Sequence, residues 1–390
     1  MPRLLIITPA PVIETPAGEL VLDIDFVEGM KLHCQLWPGP VTCLMRRDSG
    51  PVPRPLRFSA QRLDFDLCIL DQDAALPDAL LDEASLVYCA ADDMRHLDLP
   101  EVLGGRMARL VYTIEQPLSA RLHTALAGRR RSLRRRLRTA LWSMSKEAAL
   151  RKALAAADGL HCNGLPAWYA YRNLARSAIH FHDNRMRRPM LARDQDQALR
   201  AERLRTGAPL RLVYFGPLEA DSGVQDILPA AHLAQAAGLD FRLAIIGEGP
   251  LAPRLADGIR ALGLSARVTL TASPGFDTVL VPRLRREADI FIAPRRLSDP
   301  LSSYVEAMGC GLPVLGYANR MWRALQAESG AGWAVRSRPG AVLRQLQLLD
   351  ANREAVVDAS ARAIDHARAN TFETVFARRM SHLREIAGIG

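Results

Sequence analysis

The chain has 390 residues, enough for two domains with complete cores, and 49% hydrophobic with 24% charged residues excludes a disordered polymer. A formal net charge of +9, carried mostly by arginine, leaves phosphorylated substrates, anionic membrane and nucleic acid open as partners. Six scattered cysteines with no Cys-x-x-Cys pair read as buried thiols of a reducing compartment, not as a disulfide or metal framework.

The N-terminus, MPRLLIITPAPVIE, is apolar for only a few residues before prolines interrupt it, which reads as a buried strand and not a signal peptide. No stretch reaches transmembrane length, so a cytoplasmic protein is expected. Strands are expected at 3–8, 65–70, 85–89 and 109–114, then at 210–215, 241–246, 267–271, 289–293 and 313–317. Continuous apolar runs between helical patterns indicate parallel strands buried on both faces. Two such series predict an α/β chain with two doubly wound, Rossmann-like parallel-sheet domains facing a cleft. The divide is expected in the charged stretch 192–208, ARDQDQALRAERLRTGA, giving domains over 1–200 and 208–365. The last helical segment, about 354–386, either finishes the second domain or folds back over the first, with 366–390 the part that would cross.

The densest chemistry lies in 289–317, DIFIAPRRLSDPLSSYVEAMGCGLPVLGY. Asp299 before Pro300 has the form of an N-cap followed by proline at the first helical position. The helix would carry Ser302 and Ser303 in its first turn, where amides and hydroxyls suit an anion, then Tyr304 and Glu306. It would stop near Gly309 and Gly311. A lone helix glutamate is usually solvated; here AIIGEGPL (244–251) and ADIFIAP (288–294) precede it in a fixed order.

That order resembles the C-terminal domain of the nucleotide-sugar glycosyltransferases of GT-B fold, family 4 or group 1: a Gly-x-Gly-Pro turn, an apolar strand ending in proline, and a Glu-Ala-Met helix followed by Gly-x-Pro. The first half is similar more weakly, through TPAPVIETPAGEL (8–20), with Ala17-Gly18 for close backbone approach, LVYTIEQ (110–116) ending at Glu115, AAADGLHCNG (155–164) and IHFHDNRMRRPML (179–191). The resemblance implies that Glu306 holds the nucleotide ribose and that the first turn of its helix, with Ser302, Ser303 and Tyr304, faces the donor diphosphate. Glu115 would orient acceptor or donor sugar, an ion pair with Arg121 being its plain structural alternative. Relatives place a second glutamate eight residues before the first; Ser298 stands there, and Asp299 beside it serves either that role or the helix cap.

The loop after the strand at 210–215 departs from the pattern. Relatives read Gly-Arg-Leu and then Lys-Gly, two cations for the diphosphate; this chain has Gly216-Pro217-Leu218 and Ser222-Gly223. Losing both weakens donor binding and leaving-group stabilisation unless Arg285, Arg286, Arg295 or Arg296 supplies the charge, the last two being better placed. The resemblance implies a retaining, metal-independent transfer from a nucleotide diphosphate sugar, the donor being a substrate and no cofactor being needed. The acceptor would be a glycan or lipid-linked molecule of surface polysaccharide biosynthesis. A catalytically silent accessory protein and a nucleotide-sugar epimerase on the same fold are the alternatives. Asp71 and Asp73 form an Asp-x-Asp pair of the kind that holds manganese elsewhere, but a second pair at Asp194 and Asp196 shows how readily it recurs. No histidine set has trustworthy metal-ligand spacing.

Residues 128–144, GRRRSLRRRLRTALWSM, put Leu133, Leu137, Leu141 and Met144 on one helical face among seven arginines between 129 and 138. The stripe either faces the core or docks, with Trp142 at its border, on an anionic membrane surface through residues 129–144; the arginine density favours the second and a peripheral protein on the membrane's inner face. No recognition fold or aromatic interleaving supports nucleic acid.

Overall fold

The computed structural model describes residues 1–47, 50, 52, 54–127 and 132–389, so Arg129, Arg130 and Arg131 of the arginine run lie outside the described residues. The chain divides into two units, Met1–Phe181 with Thr374–Gly390, and His182–Glu373. The first contains β1 (Arg3–Ile7), β2 (Ile13–Glu14), β3 (Leu20–Asp23), β4 (Val41–Arg46), β5 (Pro55–Phe58), β6 (Asp66–Leu70), β7 (Ala84–Ala90), β8 (Arg109–Ile114), β9 (Gly159–Asn163) and β10 (Ser177–Phe181). Seven of these form a parallel sheet in the order β10-β9-β8-β7-β1-β4-β6, and β2, β3 and β5 form a small antiparallel sheet. Leu5 and Ile7 of β1 enter one core cluster while Leu4 and Ile6 enter another, so both faces of the sheet are covered. That is why β1 reads as an unbroken apolar run.

The second unit contains β11 (Leu210–Phe215), β12 (Phe241–Ile246), β13 (Val268–Thr271), β14 (Ile290–Ala293), β15 (Val314–Tyr317) and β16 (Gly332–Val335). They pair in parallel in the order β13-β12-β11-β14-β15-β16. Each sheet reverses its winding once, between β1 and β7 and between β11 and β14.

Several expectations change. Residues 182–208 pack with the second unit, and the polar stretch 192–208 is largely a helix, Asp194–Arg205, within it. Asp196 accepts from Arg193 N and pairs with Arg285. Gly18 turns the β2–β3 hairpin at φ +76, exposed, and the first helix starts at Ile24. The segment 354–386 is two helices, Glu354–Ala369 and Phe372–Ile386. The first finishes the second unit and most of the last belongs to the first unit. The leucine stripe is not core: Leu133, Leu137, Leu141 and Met144 are 70%, 57%, 65% and 55% exposed. The helix Leu133–Ala156 buries Ala140, Ser143, Leu150, Ala153 and Leu154 instead.

The last helix is held in the first unit by a buried polar chain. Arg379 donates to Tyr88 Oη at 2.7 Å, Tyr88 Oη lies 3.1 Å from His161 Nδ1, and His161 Nε2 lies 2.9 Å from His382 Nδ1. His382 Nε2 then meets Ser177 Oγ at 2.7 Å. Arginine only donates, so Tyr88 Oη accepts from Arg379. With the Tyr88 proton placed on His161 Nδ1, the chain runs on through neutral Nε2–H imidazoles to Ser177. His33 lies beside the chain, with Nδ1 3.0 Å from Met380 Sδ, and desolvation together with Arg379 lowers its pKa to about 3. His161 and His382 are also lowered, chiefly by burial.

For histidines with depressed native pKa values the unfolded chain binds protons first, so stability is complete above the unfolded value near 6.5 and is lost as pH falls below it. We expect the melting temperature of the first unit to fall between pH 7 and pH 5, by up to about 1.4 kcal/mol of stability per pH unit for each such histidine. His33→Leu should flatten that slope in a pH series of thermal melts; an unchanged slope would remove His33 from the acid sensitivity.

Candidate functional site

In open parallel sheets ligands sit outside the carboxyl ends of the strands where the winding reverses. In the second unit that place lies between the loops following β11 and β14. The loop after β11 runs from Gly216 through the exposed Glu219 and Asp221 to Gly223. Gly223 has φ +76, and a Cβ on it would stand 2.1 Å from Pro294 O, so only glycine lets this loop press against the one after β14. Ser222 is buried, donating to Glu219 O at 2.7 Å and accepting from Val224 N. The position that carries a lysine in relatives is therefore a turn-closing hydroxyl here.

The helix expected after Pro300 spans Ser302–Gly309, with Leu301 as N-cap and no side-chain cap. Asp299 is thus not the cap. It forms a two-pronged ion pair with Arg295, Nε to Oδ1 at 2.8 Å and Nη2 to Oδ2, and Arg295 also donates to Asp221 O at 3.2 Å. The cation sought for the diphosphate instead ties the acidic loop to its own. Arg296 pairs with Asp226 and lies 5.1 Å from the Tyr317 ring, and Arg285 pairs with Asp196. Arg286 is exposed.

Glu306 is 1% exposed and takes both prongs of Arg185, Nε to Oε1 at 2.8 Å and Nη2 to Oε2 at 3.1 Å. The Arg185 guanidinium lies 4.0 Å from the Phe276 ring. Arg185 had no signal in the sequence, because its partner is 121 positions away. Tyr304 is fully buried: it stacks on Trp322 at 5.2 Å and meets Asn319 Nδ2, and burial pushes its phenol up to about 12. Ser303 and the exposed Ser302 stay in the first turn, as read. Ser298 is buried and accepts from Arg320 N at 3.1 Å.

The helix Ser302–Gly309 is fixed by Arg200, itself 1% exposed. Arg200 Nε donates to Ala288 O at 3.0 Å, Nη1 to Ser360 Oγ at 3.1 Å, and Nη2 to Arg285 O at 3.0 Å and Cys310 O at 2.9 Å. Burial lowers its pKa to about 10, still charged at neutral pH.

In the first unit Asp92, Glu115 and Asn163 gather at the carboxyl ends of β7, β8 and β9, on one side of its winding reversal. Asp92 accepts from Glu115 N and Gln116 N, both at 2.9 Å, and Asn163 Nδ2 donates to Glu115 Oε2 at 3.2 Å. Burial raises the Asp92 pKa to about 6 against the pull of these two amides and Arg121. Asp92 was missed in the sequence because an acid after a strand looks like any turn residue. Arg121 pairs with Glu147. Gly18, in the same unit, sits on the hairpin tip with open space around it. Glu115 and Gly18 thus belong to the first unit, and Gly216, Gly223, Arg295, Asp299, Ser302, Ser303, Tyr304 and Glu306 to the second.

Comparison with known proteins agrees with this geometry. Residues 209–349 match the family model described as glycosyl transferases group 1. A 2-deoxystreptamine N-acetyl-D-glucosaminyltransferase of Streptomyces fradiae is 28% identical over 135 residues, 34% of this chain and 31% of that protein. A GDP-mannose-dependent alpha-(1-6)-phosphatidylinositol dimannoside mannosyltransferase of Mycobacterium tuberculosis is 30% identical over 145 residues, 37% and 36% of the two chains. The matched stretch spans about a third of the length of these curated relatives. Among solved structures, a sucrose-phosphate synthase from Thermosynechococcus elongatus aligns over 99% of this chain and 98% of its own at 13% identity and TM-score 0.65. Anabaena HepE in complex with UDP aligns over 99% and 100% at 12% identity and TM-score 0.66. WaaG, a glycosyltransferase involved in lipopolysaccharide biosynthesis, aligns over 97% and 99% at 13% identity and TM-score 0.57. At such identities the likeness shows the fold alone. Residues 209–349 of the second unit are thus similar to the group 1 glycosyltransferases, in a chain of GT-B fold.

Proposed function

We propose that the protein is a glycosyltransferase that moves a sugar from a nucleotide diphosphate sugar to a glycan or lipid-linked acceptor. Transfer would retain the anomeric configuration and need no metal, within surface polysaccharide biosynthesis. The observation that carries this reading is the buried carboxylate Glu306 on the helix between β14 and β15, inside the segment that matches the group 1 model. Each carboxylate oxygen offers two lone pairs, and Arg185 occupies one on each. The remaining pair suits the two hydroxyls of a ribose, with Arg185 setting the carboxylate's orientation. The first-turn amides of Ser302 and Ser303 would meet the departing diphosphate, whose growing negative charge the helix N-terminus favours. Arg295 would join them by exchanging Asp299 for phosphate oxygens, and Asp299 so released would face the donor sugar. Glu115 and Asp92 supply carboxyl groups for an acceptor hydroxyl in the first unit.

The catalytically silent accessory protein keeps support from one observation: Arg285, Arg295 and Arg296 are all ion-paired. Titration of the full-length protein with uridine, guanosine and adenosine diphosphate sugars, read by thermal shift and product mass, decides between the two. One nucleotide sugar should raise the melting temperature and Glu306→Gln should weaken its binding about tenfold. If no nucleotide sugar binds, the transferase reading fails. Asp299→Asn should release Arg295 and tighten UDP or GDP binding severalfold, measured by calorimetry; weaker binding would mean that Arg295 never reaches the phosphates.

A peripheral place on the inner membrane face, with a lipid-linked acceptor, is supported by the exposed stripe of Leu133, Leu137, Leu141 and Met144 beside Trp142, Arg134, Arg135, Arg136 and Arg138. Such a face gains from both apolar burial and anionic lipid. Among the described residues no helix is long and apolar enough to cross a membrane. The protein should co-sediment with phosphatidylglycerol vesicles at low salt but not with phosphatidylcholine vesicles, and Leu137→Asp with Leu141→Asp should abolish this without changing the melting temperature. Equal sedimentation of the double variant would discard the helix as the contact.

A further inference from the structure

At the winding reversal of the first sheet, between β1 and β7, lies a cavity enclosing about 430 Å³ including its mouth. Its walls come from the loops after β1, β6 and β7 and from the end of β4, with Thr8, Arg46, Gln72, Asp93, Arg95 and His96 as the polar lining. Two guanidiniums face one carboxylate here, so the cavity carries a net positive charge. None of these residues belongs to the set read from the sequence for the transfer reaction.

Both cations are tied to the 71–74 turn by hydrogen bonds. Arg46 Nη1 donates to the carbonyls of Asp71, Gln72 and Ala74 at 2.8, 3.0 and 2.9 Å, which closes the 71–74 turn. Gln72 in that turn donates to Arg47 O at 2.6 Å and accepts from Arg95 Nη1 at 2.7 Å. Arg46 Nε is buried with no hydrogen-bond partner. On the opposite wall Asp93 Oδ1 accepts from Arg95 N at 3.0 Å. Met94 between them has φ +60, the one non-glycine positive φ among the described residues. A left-handed methionine is strained and persists only where its surroundings fix it. Met94 is buried in the core, which turns Asp93 and Arg95 together toward the cavity.

We propose that this cavity binds a hydroxylated ring bearing a phosphate or carboxylate, the anion on Arg95 and Arg46 and a ring hydroxyl on Asp93. Arginine suits planar or tetrahedral oxyanions through two donors at once, and a carboxylate beside it takes the hydroxyl that a bare anion lacks. As the acceptor subsite of a transferase the cavity rests on the function proposed above; as an anionic-sugar site it does not.

The test is calorimetry on the full-length protein with glucose 6-phosphate, glucuronate, inorganic phosphate and uncharged glucose. The charged sugars should bind at least about tenfold tighter than glucose, and tighter than phosphate alone. Arg95→Gln alters an exposed side chain and should weaken the charged sugars about tenfold to a hundredfold with an unchanged melting temperature. Asp93→Asn should weaken charged sugars while leaving inorganic phosphate as it was. Short-chain phosphatidylinositol that competes with glucose 6-phosphate identifies a lipid headgroup as the source of the anion; failure to compete identifies a soluble sugar. Equal affinity for glucose and glucose 6-phosphate, no binding of either charged sugar, or full binding by Arg95→Gln overturns the proposal. Nucleotide-sugar titration of the wild-type protein reports separately on the transferase reading, so the two can fail independently.

Discussion

The second unit depends on one buried guanidinium. Arg200 reaches from the helix Asp194–Arg205 to the carbonyls of Arg285, Ala288 and Cys310 and to Ser360 Oγ. The three carbonyls stand at the carboxyl ends of two helices, where the macrodipole favours a cation. Its direct partners are carbonyl and hydroxyl oxygens, so the charge is stabilised by dipoles. Gly311 completes the fit: a Cβ there would lie 2.4 Å from Arg200 Nη1, on a backbone with φ +73. The end of the helix that carries Glu306 is therefore set by a residue more than a hundred positions earlier.

Around that anchor the chain closes its charges in pairs. Arg185 with Glu306 and Arg295 with Asp299 are both two-pronged, and Arg296 holds Asp226. Such pairs cost little to exchange where they meet solvent, because a partly exposed ion pair is worth only about 1 kcal/mol or less. Glu306 is different, since removing its partner would leave a buried carboxylate uncompensated. The expected consequence is a division of labour, with Arg295 free to change partners and Arg185 fixed. The loop with two carboxylates and no cation fits the same logic: its glycine admits the neighbouring loop, and Arg295 from that loop binds its backbone.

The two sheets end in different chemistry. The carboxyl edge of the second carries amides, small residues and a sequestered carboxylate. The edge of the first carries Asp92, whose pKa of about 6 places its proton near neutral pH, and beside it the cationic cavity.

Much of the fold was legible in the sequence because parallel strands buried on both faces must be apolar without interruption, and RLLII, LRLVYF and IFIA are. Strand β4, VTCLMR, escaped because cysteine, methionine and arginine dilute the run, and β16 because tryptophan and alanine follow a glycine. The order of motifs from 244 to 317 located the glycosyltransferase-like domain and its glutamate. Local spacing misjudged the cap reading of Asp299, since a cap is decided by where the helix starts. The sequence by itself determined the fold class and the identity of the helix carboxylate, both functions of residues adjacent in the chain. Only the tertiary structure decided which arginine meets which acid, which face of the leucine helix stays in solvent, and where the last helix docks. Each of these depends on groups brought together from distant positions, and no periodicity along the chain records them.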